Sequence, residues 1–299
     1  MHTRVKILAA ATTVLATVAL PAAAASAKPA PAPSYYVNLG DSYAMGYQPG
    51  FASGSETLHG YANKLVPLLS SKVKLTLENF GCGGATTNSI LNSVSCPGLA
   101  NNGVAYPTTT QAAAAVAFIA AHPGQTKLIT ISIGGNDFDG CIAAADAATC
   151  VANSLPKMQA NITTLVADLR AVAPMVPIEA ITYPDVALGA WLKGTAGQAL
   201  AKLSVFAFSA LINPTFVKAY SPGHVAFVDI TAKTGAYGPL SKLTTLKPYG
   251  KIPVPVAQVC TLTWFCQKGD IHPKDAGYTL IAQQLAANYA KAVTLAATA

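Results

Sequence analysis

Five short runs of apolar and β-branched residues punctuate the chain, at 35–39, 73–78, 127–133, 176–182 and 225–230. Most are near-continuous rather than alternating, as parallel strands buried on both faces require. Between them lie stretches with helical spacing, at 61–70, 110–122, 153–172, 195–220 and 275–292. In the third, Leu155, Ile162, Leu165, Val166 and Leu169 gather on one helical face. Strands that alternate with helices predict βαβ units, hence an α/β fold with an open parallel sheet and helices on both faces. No internal repeat is visible. Residues 235–266 break the pattern with Pro239, Pro248, Pro253 and Pro255 and with Tyr237, Tyr249, Trp264 and Phe265. A long segment of this kind predicts a lid or wall beside a site, and its apolar content suits an acyl chain.

Composition narrows the class. Of 299 residues, 52% are hydrophobic and 10% charged, which excludes a disordered chain and suffices for a large α/β domain. Formal net charge is +7, but no long Lys/Arg run marks a nucleic-acid footprint. The N-terminus reads as an export signal over 1–27. Arg4 and Lys6 precede a short apolar stretch, and Ala25-Ser26-Ala27 suits cleavage. That stretch is too short for a membrane span, and no span is expected later. Residues 28–34 form a Pro/Ala-rich tail, and 35–299 are expected to fold as one domain. Six cysteines, Cys82, Cys96, Cys141, Cys150, Cys260 and Cys266, suit disulfides in a secreted protein. Fifteen connectivities are open, and proximity in sequence favours pairing of neighbours. No C-x-x-C occurs, so no metal is expected.

In open α/β sheets, ligands bind beyond the carboxyl ends of the strands. Gly40-Asp41-Ser42-Tyr43 follows the first predicted strand, residues 79–86 the second and Gly134-Gly135-Asn136-Asp137 the third, while Asp270-Ile271-His272-Pro273 precedes the last helix. Ser42 at a strand-to-helix turn is a candidate nucleophile, and it needs a base. His272 is the histidine that lies before a helix with an acid close by. The N–H groups of Ser42 and Gly84 and the Asn136 amide form a candidate oxyanion hole. Taken singly, each motif is also an ordinary turn or helix cap. Competing signatures fare worse. G-x-S-x-G is absent, and Ser154-x-x-Lys157 with Lys233-Thr234-Gly235 lacks its middle motif.

Together the four segments resemble the signature blocks of the SGNH (GDSL-type) hydrolases, in the secreted actinobacterial lipase and esterase branch with three disulfides. The resemblance runs from Tyr35 to about Ala292 and includes the Asp275-Ala276-Gly277-Tyr278 tail of the last block. It implies a three-layer α/β/α sandwich around a five-stranded parallel sheet, flavodoxin-like in topology. It also implies ester hydrolysis without metal or cofactor, on a small ester or lipid substrate, by a monomer. Ser42 and His272 then carry the chemistry. One departure stands out. The family commonly places an acid three residues before the histidine, where this chain has Gly269, and Asp270 lies only two before. A shift of one residue in an extended approach turns the side chain to the other face. The expectation therefore leans to a backbone carbonyl of Lys268 or Gly269 as the orienter of His272, with Asp270 as the alternative. An acetylated-polysaccharide esterase, or a non-catalytic envelope- or carbohydrate-binding protein on the same fold, are the competing readings.

Overall fold

A computed structural model describes Met1 and residues 32–50 and 57–299. The export signal expected at 1–27 and most of the 28–34 tail lie outside the described residues, Met1 aside.

Five strands form the sheet: β1 (Tyr35–Gly40), β2 (Thr76–Asn79), β3 (Thr126–Ser132), β4 (Ile178–Ile181) and β5 (Ala226–Val228). They lie in the order β2-β1-β3-β4-β5, and each pair is parallel. The apolar runs of β3 and β4 are buried along almost their whole length, so the sheet is covered on both faces. Helices α2 (Tyr61–Leu69) and α11 (Asp275–Ala296) pack together, and α11 also lies against β4 and β5. Helices α3 (Thr87–Asn92), α4 (Gln111–Ala121), α5 (Ala147–Val172) and α7 (Asn213–Tyr220) pack on one another as the second layer. The result is the α/β/α sandwich that the hydrophobic pattern predicts.

The strand order reverses between β1 and β3, because the crossover from β1 runs to β2 and that from β3 to β4. A crevice opens at such a switch point. Gly40 closes β1 with φ +138°, and a Cβ there would stand 2.0 Å from the Ser132 carbonyl oxygen. Only glycine lets the ends of β1 and β3 approach so closely. The Gln111 side chain fixes that end, accepting from Gly40 N–H at 2.7 Å and donating to Gly40 C=O at 3.0 Å.

Two expectations change. Helix α5 begins at Ala147, six residues earlier than the spacing predicts, because Asp146 caps it by accepting from Thr149 N–H at 3.0 Å. The single helix predicted over 195–220 is interrupted. Helix α6 (Gly194–Phe206) runs into a π-helical stretch, Ala207–Ile212, before α7. The whole run Val186–Gly223 is long and apolar enough to cross a membrane. Here its buried side chains, among them Ala201, Phe208, Ile212 and Phe216, pack within the protein.

Residues 235–266 also differ from the predicted irregular wall. They form a hairpin of β6 (Leu243–Leu246) and β7 (Gly250–Pro253), then α9 (Val254–Leu262), with α10 (Phe265–Lys268) starting at the end. Ile252, Val256, Ala257, Val259 and Cys260 pack with Leu188 and Ala201 in a second, smaller core.

Candidate active site

Ser42 opens the short helix α1 (Ser42–Met45) directly after β1. Asp41 caps that helix by accepting from Tyr43 N–H at 2.9 Å, and it also accepts from the Tyr183 hydroxyl at 2.5 Å. Burial pushes the Asp41 carboxyl up to about 6, although the donors from Tyr183 and Tyr43 favour its charge. Asp41 is saturated and almost wholly buried, so its work is to hold the turn. A buried amide network secures the turn from below. Asn38 and Asn79 both donate to the Ala44 carbonyl, at 2.8 and 3.0 Å, and Asn38 donates to Asn79 at 2.9 Å.

The Ser42 Oγ lies 2.8 Å from His272 Nε2. On the other side of the ring, His272 Nδ1 lies 2.8 Å from Asp270 Oδ1. The same oxygen accepts from His272 N–H at 2.9 Å, which closes a turn between a side chain and the backbone two residues on. The expected orientation of Asp270 is therefore wrong. The approach to α11 is not extended: α10 ends at Gly269, with φ +69°, and the chain reverses there. The Asp270 side chain folds back on the imidazole, and no carbonyl of Lys268 or Gly269 is placed on the ring. Burial raises the Asp270 carboxyl. The hydrogen bonds from His272 and the charges of His272 and Lys268 outweigh that and hold it below the usual carboxylate range.

The His272 loop is pinned from several directions. Tyr43 O–H donates to Ile271 C=O at 2.7 Å, and Trp264 N–H donates to His272 C=O at 3.0 Å. The Tyr47 ring packs on the imidazole with centroids 4.2 Å apart. The other described histidines lie elsewhere, His59 on Asp275, His122 against Phe118 and His224 near Thr298.

Asn136 follows β3 in the short turn Gly135–Asp137. Its Nδ2 donates to Ala85 C=O at 2.8 Å, which ties the β3 loop to the loop that carries Gly84. Asp137 reinforces the tie by accepting from Thr87 N–H at 2.8 Å and from the Thr87 hydroxyl at 2.5 Å. Gly84 takes φ +74°, left-handed backbone that glycine adopts without strain. Among the described residues, neither Ser42 N–H nor Gly84 N–H has an acceptor.

Cys82–Cys96, Cys141–Cys150 and Cys260–Cys266 are disulfide-bonded. No group of three or more His, Cys, Asp or Glu side chains converges as a metal site among the described residues.

Ser42 and Asn136 line a cleft of about 840 Å³, its solvent-facing mouth included. Val151, Val186, Leu200, Leu203, Phe208 and Ile212 give it apolar walls, drawn from α5, the segment Val186–Lys193, α6 and the π-helical stretch. No residue of 235–266 lines it, so that segment is not the acyl wall expected of it. Spacing hides the true wall, because its side chains read as ordinary helix faces. The π stretch is the one local irregularity there, and such turns often occur at sites. Asp139, another lining residue, also carries no motif.

No curated protein matches the chain. Among solved structures, it resembles the extracellular lipase from Streptomyces rimosus at 20% identity, over 85% of this chain and 99% of that one, with a TM-score of 0.46. A phospholipase A1 from Streptomyces albidoflavus matches at 18% identity over 85% of this chain and 100% of that one, TM-score 0.46. The lipase Lip_vut3 from a goat rumen metagenome matches at 13% identity over 86% and 98%, TM-score 0.51. The model of the GDSL-like lipase/acylhydrolase family matches residues 39–280, from the last residues of β1 into α11. With most of the chain inside that match, the protein belongs to the GDSL-like lipase/acylhydrolase family and is a carboxylic ester hydrolase.

Proposed function

We propose that the chain is an exported serine esterase for esters with apolar acyl groups, with Ser42 as nucleophile, His272 as base and Asp270 as the group that orients the base. The observation that carries this reading is the relay from Ser42 Oγ to His272 Nε2 and, across the ring, from His272 Nδ1 to Asp270 Oδ1, both contacts 2.8 Å, with Ser42 lining an apolar cleft. With its proton on Nδ1, held by Asp270, the imidazole presents a free Nε2 to the serine hydroxyl. His272 takes that proton as Oγ attacks the ester carbonyl. The N–H groups of Ser42 and Gly84 and the second Asn136 amide hydrogen hold the developing oxyanion. His272 then protonates the leaving alcohol, and water resolves the acyl-enzyme by the same path. Export is supported by three disulfides, which persist in oxidising compartments.

The test is a series of p-nitrophenyl esters from acetate to palmitate, run beside acetylated xylan, with a serine-directed phosphonate as covalent probe. The expected result is turnover that prefers acyl chains longer than acetate, and a single label on Ser42 that is absent from Ser42→Ala. Preference for acetylated xylan over every fatty ester sinks the apolar-acyl assignment. No turnover and no label leaves a non-catalytic binding protein.

A further inference from the structure

Besides Asp41, which holds the turn, one carboxylate lines the cleft that the mechanism does not use. Asp139 lines it beside Ser42, Asn136 and Ile271, and is half-buried. Its side chain makes no hydrogen bond to a described residue, whereas Asp41 accepts from Tyr183 and Tyr43 and Asp270 is engaged by His272. No Lys or Arg lines the cleft among the described residues. Asp139 thus faces the cleft with no hydrogen-bond donor, Lys or Arg beside it; burial raises its carboxyl above the usual range, and the charge of His272 pulls it partly back.

Hydrolysis changes the charge in this cleft. A neutral ester enters, the hydroxyl of water joins the acyl carbon, the ester C–O bond breaks and the departing alcohol takes up the other proton of the water. The acid released ionises to a carboxylate, so negative charge appears only in the product. We propose that Asp139 sets the charge selectivity of the cleft: it leaves neutral esters unopposed and repels the carboxylate product, which speeds its departure. The proposal rests on the ester-hydrolase reading of the cleft. Like charges within about 10 Å at a partly buried site repel strongly enough to weaken binding by roughly 5–50-fold.

The experiment needs no turnover. Dissociation constants of hexanoate and of its neutral isostere hexanamide are measured by ligand-observed NMR at pH 8. Asp139→Asn should bind hexanoate about 5–50-fold more tightly than the wild type, with hexanamide changed by less than about twofold. Asp139→Ser should shift the ratio the same way, and Asp168→Asn, an exposed charge on α5, should leave it unchanged. Hexanoate held no more tightly by Asp139→Asn, an equal gain for hexanamide, or the same ratio change in Asp168→Asn overturns the proposal. Failure of the wild type to hydrolyse any ester speaks to the proposed function instead.

Discussion

Asn136 donates one amide hydrogen to Ala85 C=O and lines the cleft, and in the proposed mechanism the other hydrogen serves the oxyanion. A donor aimed at developing charge acts on the transition state more than on the bound ester. Asn136→Ala should therefore lower kcat by about 10²–10³ with KM nearly unchanged. A loss confined to KM would remove Asn136 from the hole. In the proposed mechanism Asp270 acts through the imidazole. In Asp270→Asn the amide can donate to Nδ1, which then favours the wrong tautomer, and loss of kcat by about 10⁴ is expected. Circular dichroism must show the fold intact, and retention of more than a tenth of the activity would return the orienting role to a backbone carbonyl. Ser42, Asn136 and His272 are legible in the sequence because each is a reactive or donor residue beside a strand end or helix start. The Asp270 contact is not, because alternation along an extended chain misleads where Gly269 reverses it. Asp139 and the Asn38–Asn79 network are equally silent, since only the fold brings Asp139 to the cleft and the two amides to each other.

Strands show plainly in a buried parallel sheet, because both faces demand apolar residues, and β1, β3 and β4 lie within a residue or two of where the runs place them. Helices in contact with a cleft are less legible. The apolar residues of α6 and the π stretch serve core and cleft alike, and periodicity cannot separate the two uses. Prolines and aromatics at 235–266 suggest a loop, yet the segment builds a hairpin and α9 around a small core of its own. It meets the His272 loop through Trp264, whose N–H donates to His272 C=O, and through the β-bridge between Thr263 and Pro273. The disulfides fasten these segments. Cys82–Cys96 closes the loop that carries Gly84, Cys141–Cys150 joins the short helix Asp139–Ala143, which follows the Asn136 turn, to the start of α5, and Cys260–Cys266 joins α9 to α10. By chain entropy each stabilises the fold by about 2–3 kcal/mol. Reduction and alkylation should lower Tm and reduce kcat before the sheet melts, read by activity against far-UV circular dichroism along a thermal ramp. Activity and ellipticity lost together in the alkylated protein would mean the bridges stabilise the fold without organising the site.

The molecule as a whole carries an electrostatic cost that favours mildly acidic conditions. Glu179 sits fully buried on β4, where Asn288 of α11 donates to its Oε1 at 2.9 Å, while Oε2 has no partner among the described residues. Burial pushes its carboxyl up to about 8, against the weaker pull of Asn288 and Lys72. Burial likewise raises Asp185 to about 7. For such groups the native state binds protons more tightly than the unfolded chain. Between about 4.5 and 8 the native state therefore holds more protons, and stability must fall as pH rises through that window. Below the window the unfolded chain is protonated too, and the difference vanishes. Glu179→Gln keeps the shape of the side chain and an acceptor for Asn288 but cannot ionise. It should match the wild type near pH 4 and exceed it near pH 9 by an amount on the order of a few kcal/mol. Urea unfolding followed at several pH values reads this directly. Curves for the two proteins that run parallel from pH 4 to 9 would show that Glu179 is not the carboxylate that holds its proton in the native state, and would turn attention to Asp185 beside the cleft.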